Sequence, residues 1–301
     1  MEDIILCEGT KEDYIECGNA SRKSDKWIVC PEDYDAYVAL IGIDKMHHVV
    51  AKTKEGEYVG SCLCLEMDDL AMMALYYVRP EFRHKAVGSR IFRKALSTEL
   101  ANAKNIGLHS TPQMSKVYDS ALGFNKYANW RSDILAMHNI DISKLSPLDS
   151  KLSVRDVNEV DFEKLVMYDA TVNKAIRRKF IEKFIVNRPD ALSMVVFDND
   201  DNIVGYGSVR TSSAERLSLF CPLYCDSDAV LVELFRVLAG TTGTNSGTLF
   251  APSVKTESLF SLLKVAAHIV KKMQCTPQFT QYVPEHHIEK IYGLSDLNLW
   301  I

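Results

Sequence analysis

The run Tyr76-Tyr77-Val78-Arg79-Pro80-Glu81-Phe82-Arg83-His84-Lys85-Ala86-Val87-Gly88-Ser89-Arg90 has the residue types to hold a diphosphate. Up to Val78 it reads as a strand, and Pro80 ends that strand because proline has no N–H to donate. Beyond the turn, Ile91, Phe92, Ala95, Leu96 and Leu100 recur at helical spacing, which predicts a helix from Gly88 to about Lys104. The first N–H groups of such a helix lack intrahelical partners and point back at the turn. Arg83, His84, Lys85 and Arg90 add positive charge at the same point, so a phosphate-bearing ligand is the expected guest. Candidates for accepting a proton are fewer. Glu66, Asp68 and Asp69 stand between two strand-like runs, and His109 follows another. Trp27, Tyr34 and Tyr37 precede the first hairpin and either line an aromatic pocket or seal the sheet.

The elements around these residues fall into two halves with one plan. In the first, a strand at Ile4 to Glu8 and helices near Thr10 to Glu16 and Pro31 to Ile41 lead to a hairpin. Its strands, Val49 to Thr53 and Tyr58 to Glu66, flank Lys54-Glu55-Gly56-Glu57. Leu70 to Val78 then enters the basic turn. After the helix, Ile106 to Ser110 reads as a strand, Pro112 opens a helix that Gly123 ends, and Phe124 to Asn139 supplies two closing strands. Asp141 to Ser153, with Pro147 and several serines, is the expected linker. The order then restarts with Leu152 to Val157, a helical region, and strands flanking Asp198-Asn199-Asp200-Asp201-Asn202. Leu217 to Leu223 is the counterpart strand, followed by Cys225-Asp226-Ser227-Asp228 and a helix from Ala229 to Ala239, with Asp228 as its expected cap. Two carboxylates there repel a diphosphate, so the cofactor belongs to the first half.

The pattern Val78, Pro80, Arg83, Ala86, Gly88 between a strand and a helix resembles the acetyl-coenzyme A loop of the GNAT N-acetyltransferases, with Ala86 where that motif has its first glycine. The second half resembles the degenerate C-terminal domain of tandem GNAT proteins, and Ile288 to Gly293 resembles their closing segment. The resemblance implies an α+β fold of two tandem GNAT-like domains, each a mixed, mostly antiparallel sheet flanked by helices. It divides the chain into 1–142, a linker at 143–153, and 154–301. It implies acetyl-coenzyme A (acetyl-CoA) as co-substrate. The backbone of Tyr76, Tyr77 and Val78 then faces the thioester and pantetheine arm, and Arg83, His84, Lys85, Ala86, Val87, Gly88 and Ser89 take the diphosphate. Tyr118, in Val117-Tyr118-Asp119-Ser120-Ala121-Leu122-Gly123-Phe124, sits where such enzymes place a tyrosine facing the thiol, which makes it the expected general acid. Asp69 and His109 are carried as candidate bases, and Trp27, Tyr34 and Tyr37 as the acceptor wall. The implied activity is acetyl transfer to an amine, with a small molecule placed before a protein N-terminus or lysine. A coenzyme A-binding or interaction protein without catalysis is the alternative.

Composition limits the other classes. A net charge of −5 argues against nucleic-acid and membrane-surface partners. No apolar run approaches the roughly 20 residues needed to cross a bilayer, and Met1-Glu2-Asp3 does not resemble a secretory signal. Eight scattered cysteines suit reduced thiols and a cytoplasmic location. Their spacing, like that of the adjacent pairs His47-His48 and His286-His287, does not suit a metal site. Walker, dinucleotide-binding and nucleophile-elbow motifs are missing from the sequence. The reading leaves room for a homodimer.

Overall fold

The computed structural model describes residues 4–146, 150–212 and 217–300, so Pro147, Leu148 and Asp149 of the expected linker lie outside the described residues. The first half comprises β1 (Ile5–Glu8), α1 (Lys11–Asp25), α2 (Glu32–Ile41), β2 (Met46–Lys52), β3 (Tyr58–Glu66) and β4 (Leu70–Val78). It continues with α3 (Val87–Ala95), α4 (Thr98–Ala103), β5 (Asn105–Ser110), α5 (Pro112–Leu122), β6 (Lys126–Tyr127) and β7 (Ser132–His138). The second half holds β8 (Ser153–Asp156), α6 (Phe162–Asn173), α7 (Arg178–Phe180), β9 (Ala191–Phe197), β10 (Ile203–Ser212) and β11 (Leu217–Cys225). It ends with α8 (Asp228–Thr242), β12 (Ser246–Pro252), α9 (Ser253–Leu263), β13 (His268–Phe279) and β14 (Ile291–Gly293).

Local chemistry explains several boundaries. Thr10 and Asp13 form a reciprocal capping box that starts α1. The single helix expected from Gly88 to Lys104 is two. Leu96 leaves helical geometry, and the Ser97 hydroxyl accepts the Leu100 N–H at 3.1 Å to start α4. Gly123 closes α5 at φ 78°, a left-handed conformation that glycine adopts without penalty. Ser227 rather than Asp228 caps α8, its hydroxyl accepting the Val230 N–H at 3.4 Å, and Asp228 is the first helical residue.

The strands form one continuous path, β1-β2-β3-β4-β5-β13-β7-β12-β11-β10-β9-β8. Its centre is an exchange between the halves. The end of β13 pairs with β5 (Thr276 opposite Ser110, Phe279 opposite Gly107) and with β6. Strand β7, from the first half, lies between β12 and the start of β13. Each half therefore completes the other's sheet, and their relative position is fixed by backbone ladders.

The two faces of the first-half sheet bury different cores. Val59, Cys62, Cys64, Met73, Ile106 and Leu108 face α3 and α5. Leu63, Leu65, Met72 and Ala74 face the other way and join a core continuous with the second half. A buried ionic cluster reinforces that junction. Asp33 of α2 accepts from Arg188 at 2.5 Å and from Arg210 at 2.7 Å, and Arg210 also reaches Asp296 at 3.3 Å. All four side chains are at most 7% exposed.

Candidate active site

Strand β4 carries the decisive irregularity. Against β3 its register runs Ser61 opposite Tyr77 and Leu63 opposite Ala74, so β4 holds one extra residue between them. Leu75 there has φ 46°, in the left-handed region that costs a leucine energy. On its other edge β4 runs parallel to β5 only from Leu70 opposite Asn105 to Met73 opposite Leu108. Past that point β4 continues to Val78 paired with β3 alone, and a wedge opens between β4 and β5.

The turn from β4 into α3 is shaped for an anion. His84 and Ala86 both take left-handed φ, 64° and 60°, which turns successive N–H groups toward one side. No side chain caps α3, and the N–H groups of Val87, Gly88 and Ser89 have no hydrogen-bond partner among the described residues. Ala86 thus adopts the conformation usually left to glycine. Gly88 matters for a different reason: a Cβ there would meet the Tyr76 hydroxyl, so a side chain at 88 displaces that ring. Arg83 is the turn's tether. Its guanidinium donates to the Val78 carbonyl at 2.8 Å and to Asp25 at 2.6 Å, so Asp25 neutralises much of its charge. His84 and Lys85 remain exposed beside the free N–H groups.

Two side chains flank the wedge from opposite faces. Tyr118 of α5 packs with Tyr76, Phe92 and Phe124 at ring separations of 6.4, 6.0 and 5.9 Å. Burial pushes its phenol well above the ordinary value. His109 stands on the opposite face of β5, its Nδ1 2.8 Å from the Ser132 hydroxyl. Burial lowers its pKa to about 3, so the ring is neutral at physiological pH.

The Acetyltransferase (GNAT) family model matches residues 11–124. An uncharacterised protein of Caenorhabditis elegans is 30% identical over 223 residues, 72% of this chain and 68% of the relative. The chain belongs to the GNAT family. A candidate acetyltransferase from Pyrococcus horikoshii superposes with a TM-score of 0.74 at 16% identity, covering 99% of this chain and 96% of that one. A tandem GNAT protein from the clavulanic acid biosynthesis pathway gives 0.65 at 11% identity, covering 92% and 98%. These likenesses establish the tandem GNAT fold.

The GNAT wedge exists twice, but one copy is filled. Strand β11 also carries an extra residue against β10 (Gly207 opposite Leu223, Val209 opposite Phe220), and its parallel pairing with β12 stops at Leu219 opposite Thr248. Strand β14 enters that gap. It pairs with Leu223 and Tyr224 of β11, and the following Leu294 N–H donates to Phe250 of β12 at 2.7 Å. Gly293 fits because a Cβ would press on the Phe220 carbonyl and the Leu223 N–H. The Tyr292 hydroxyl donates to Asp228 at 2.5 Å, so the segment reaches the start of α8.

The other residues singled out from sequence are scattered. Asp69 lies at the opposite end of β4 from the bulge, where its carbonyl accepts the Asn105 N–H, and it does not approach Tyr118. Glu66, at the same end, is held below the usual carboxylate range chiefly by its hydrogen bond to His47 and also by Lys104. Trp27 reaches the wedge's edge, packing edge-on against Tyr77 at 5.9 Å. Tyr34 packs on Tyr14. Tyr37, expected on the acceptor wall, is fully buried and donates to Asp296 at 3.1 Å, so it is closed to a substrate. Sequence reasoning missed Leu75, Trp130, His286 and Trp300. The only signal for the two tryptophans was rarity, since the chain has three.

Proposed function

We propose that this GNAT protein transfers an acetyl group from acetyl-CoA to the amine of a small molecule, with binding and chemistry in residues 1–142. Residues 154–301, reached through the linker at 143–153, wall the acceptor side. The observation that carries the reading is the splayed β4–β5 wedge running directly into an uncapped α3. The chain's own groups fit the cofactor: unpartnered N–H groups at 87–89, left-handed turns at 84 and 86, and exposed Lys85 suit a diphosphate. The backbone edge from Tyr76 to Val78 suits a pantetheine amide. Acetyl-CoA supplies the acyl thioester whose C–S bond breaks as the C–N bond forms.

In this reading Tyr118 keeps its proton at every physiological pH and is the group able to deliver it to a departing sulfur. Tyr76 and Phe92 hold its ring in place. His109, neutral and tied to Ser132, orients the acceptor face rather than removing a proton. The amine therefore arrives deprotonated and loses its surplus proton to water after attack. The test is thiol release from acetyl-CoA with a panel of primary amines, comparing wild type with Tyr118→Phe. Efficient acetylation of folded proteins in place of small amines would overturn the substrate class. Tight acetyl-CoA binding with no thiol release would favour the non-catalytic alternative.

A further inference from the structure

A cavity of about 340 Å³ opens between the loop joining β6 to β7 and the segment before β14. Tyr127, Asn129 and Trp130 form one wall, Pro284 and His286 the other, and an ion pair between Lys174 and Glu285 closes the rim at 3.0 Å. The His286 and Trp130 rings meet edge-on at 5.7 Å, and His286 Nδ1 is buried with no hydrogen-bond partner among the described residues. Burial keeps this imidazole neutral at physiological pH. With the rim charges paired, the lining has no net charge.

Trp300, which is not itself in the lining, touches the lining rings of Trp130 and His286 and also His109. Trp300 stacks on Trp130 at 5.5 Å, meets His286 at 5.5 Å and Phe279 at 4.6 Å, and lies 5.6 Å from His109. Its φ of 83° is a left-handed conformation that a tryptophan adopts only when its surroundings impose it. His109 in turn sits on β5 where the ladder with β4 ends.

We propose that this cavity docks the body of the acceptor, a primary amine on a flat aromatic frame, and that Trp300 is the partition that sets its reach. The proposal rests on the amine-acetylation reading above. Aromatic walls and a neutral imidazole recognise a planar apolar body. A polyamine would instead need an excess of carboxylates, such as the separate groove lined by Glu12, Asp13, Glu16 and Glu57, where Lys52 pairs with Asp13 and Arg79 with Glu81.

The probe is 2-phenylethylamine, with spermidine as the contrast. Asn129 is exposed at the rim, so Asn129→Trp fills the cavity without entering the core. In Trp27→Phe protein, whose remaining indoles are Trp130 and Trp300, 2-phenylethylamine should quench the emission. Asn129→Trp should raise its KM at least tenfold with the acetyl-CoA Kd unchanged. Trp300→Ala should shift preference toward 4-phenylbutylamine. An unchanged KM in Asn129→Trp, or a preference for spermidine that Glu16→Lys abolishes, would overturn the assignment. Because quenching needs no turnover and acetyl-CoA binding is measured separately, failure of the cavity and failure of the enzymatic reading give different results.

Discussion

A buried phenol that cannot ionise at neutral pH is poor as a base and useful as a proton donor, and Tyr118 has that character. Tyr118→Phe keeps the ring packing and should lower kcat by roughly 10²-fold, with the acetyl-CoA Kd within twofold of wild type. A kcat within twofold would remove Tyr118 from the chemistry. His109, with its pKa near 3, contributes no limb to the rate profile above pH 5. The log of kcat/KM should therefore rise with pH up to the acceptor's own amine pKa. A limb that stays near 6.5 for amines of different pKa would contradict this. The same buried histidines shape stability. His48, His109 and His286 are lowered by burial to about 4, 3 and 4, whereas the unfolded chain titrates them near 6.5. Between pH 6.5 and about 4 the unfolded state binds more protons, so stability is highest above that window and falls as acid is added. Each histidine contributes up to about 1.4 kcal/mol per pH unit. The urea midpoint should drop from pH 7 to pH 5, and His48→Asn should flatten that slope.

At the scale of elements, α1 and α2 do more than cover the sheet. The C-terminal end of α1 holds the β4–α3 turn through Asp25 to Arg83, and Ser24 lies 2.9 Å from the Tyr77 hydroxyl. Helix α2 is anchored to the second half through Asp33. Asp33→Ala leaves Arg188 and Arg210 buried without their shared carboxylate and should cost about 3–5 kcal/mol, measured by urea unfolding. A loss under 1 kcal/mol would mean the cluster is not a clamp. Here the reach of the sequence is plain. The turn at 78–88 and Tyr118 were legible because strand, turn and helix signals are local, and so was the two-half plan. Asp33, Arg188, Arg210 and Asp296 could not be linked, because nothing local joins Asp33 to arginines 155 and 177 positions away, or Arg210 to Asp296, 86 positions on. The same limit hid Tyr37, whose hydroxyl partner lies 259 positions away. The β4 bulge was invisible because a leucine, not a glycine, takes the left-handed conformation. Ala86 did likewise at the position where a glycine was expected.

At the scale of the whole molecule, strand exchange makes the halves one continuous sheet, and β14 occupies the second wedge. The carboxylates at Asp226 and Asp228 were visible in sequence as a reason for the second half not to take a diphosphate. Asp228 is in fact engaged by Tyr292, and Asp226 by Tyr168 and Lys290. One acetyl-CoA per chain is therefore expected. Calorimetric titration of wild type and Gly88→Trp with acetyl-CoA is the most direct test, near-UV circular dichroism verifying that the variant is folded. Wild type should bind one acetyl-CoA per chain, and Gly88→Trp should lose that binding. No binding by wild type, two sites per chain, or unchanged binding by the folded variant would contradict this.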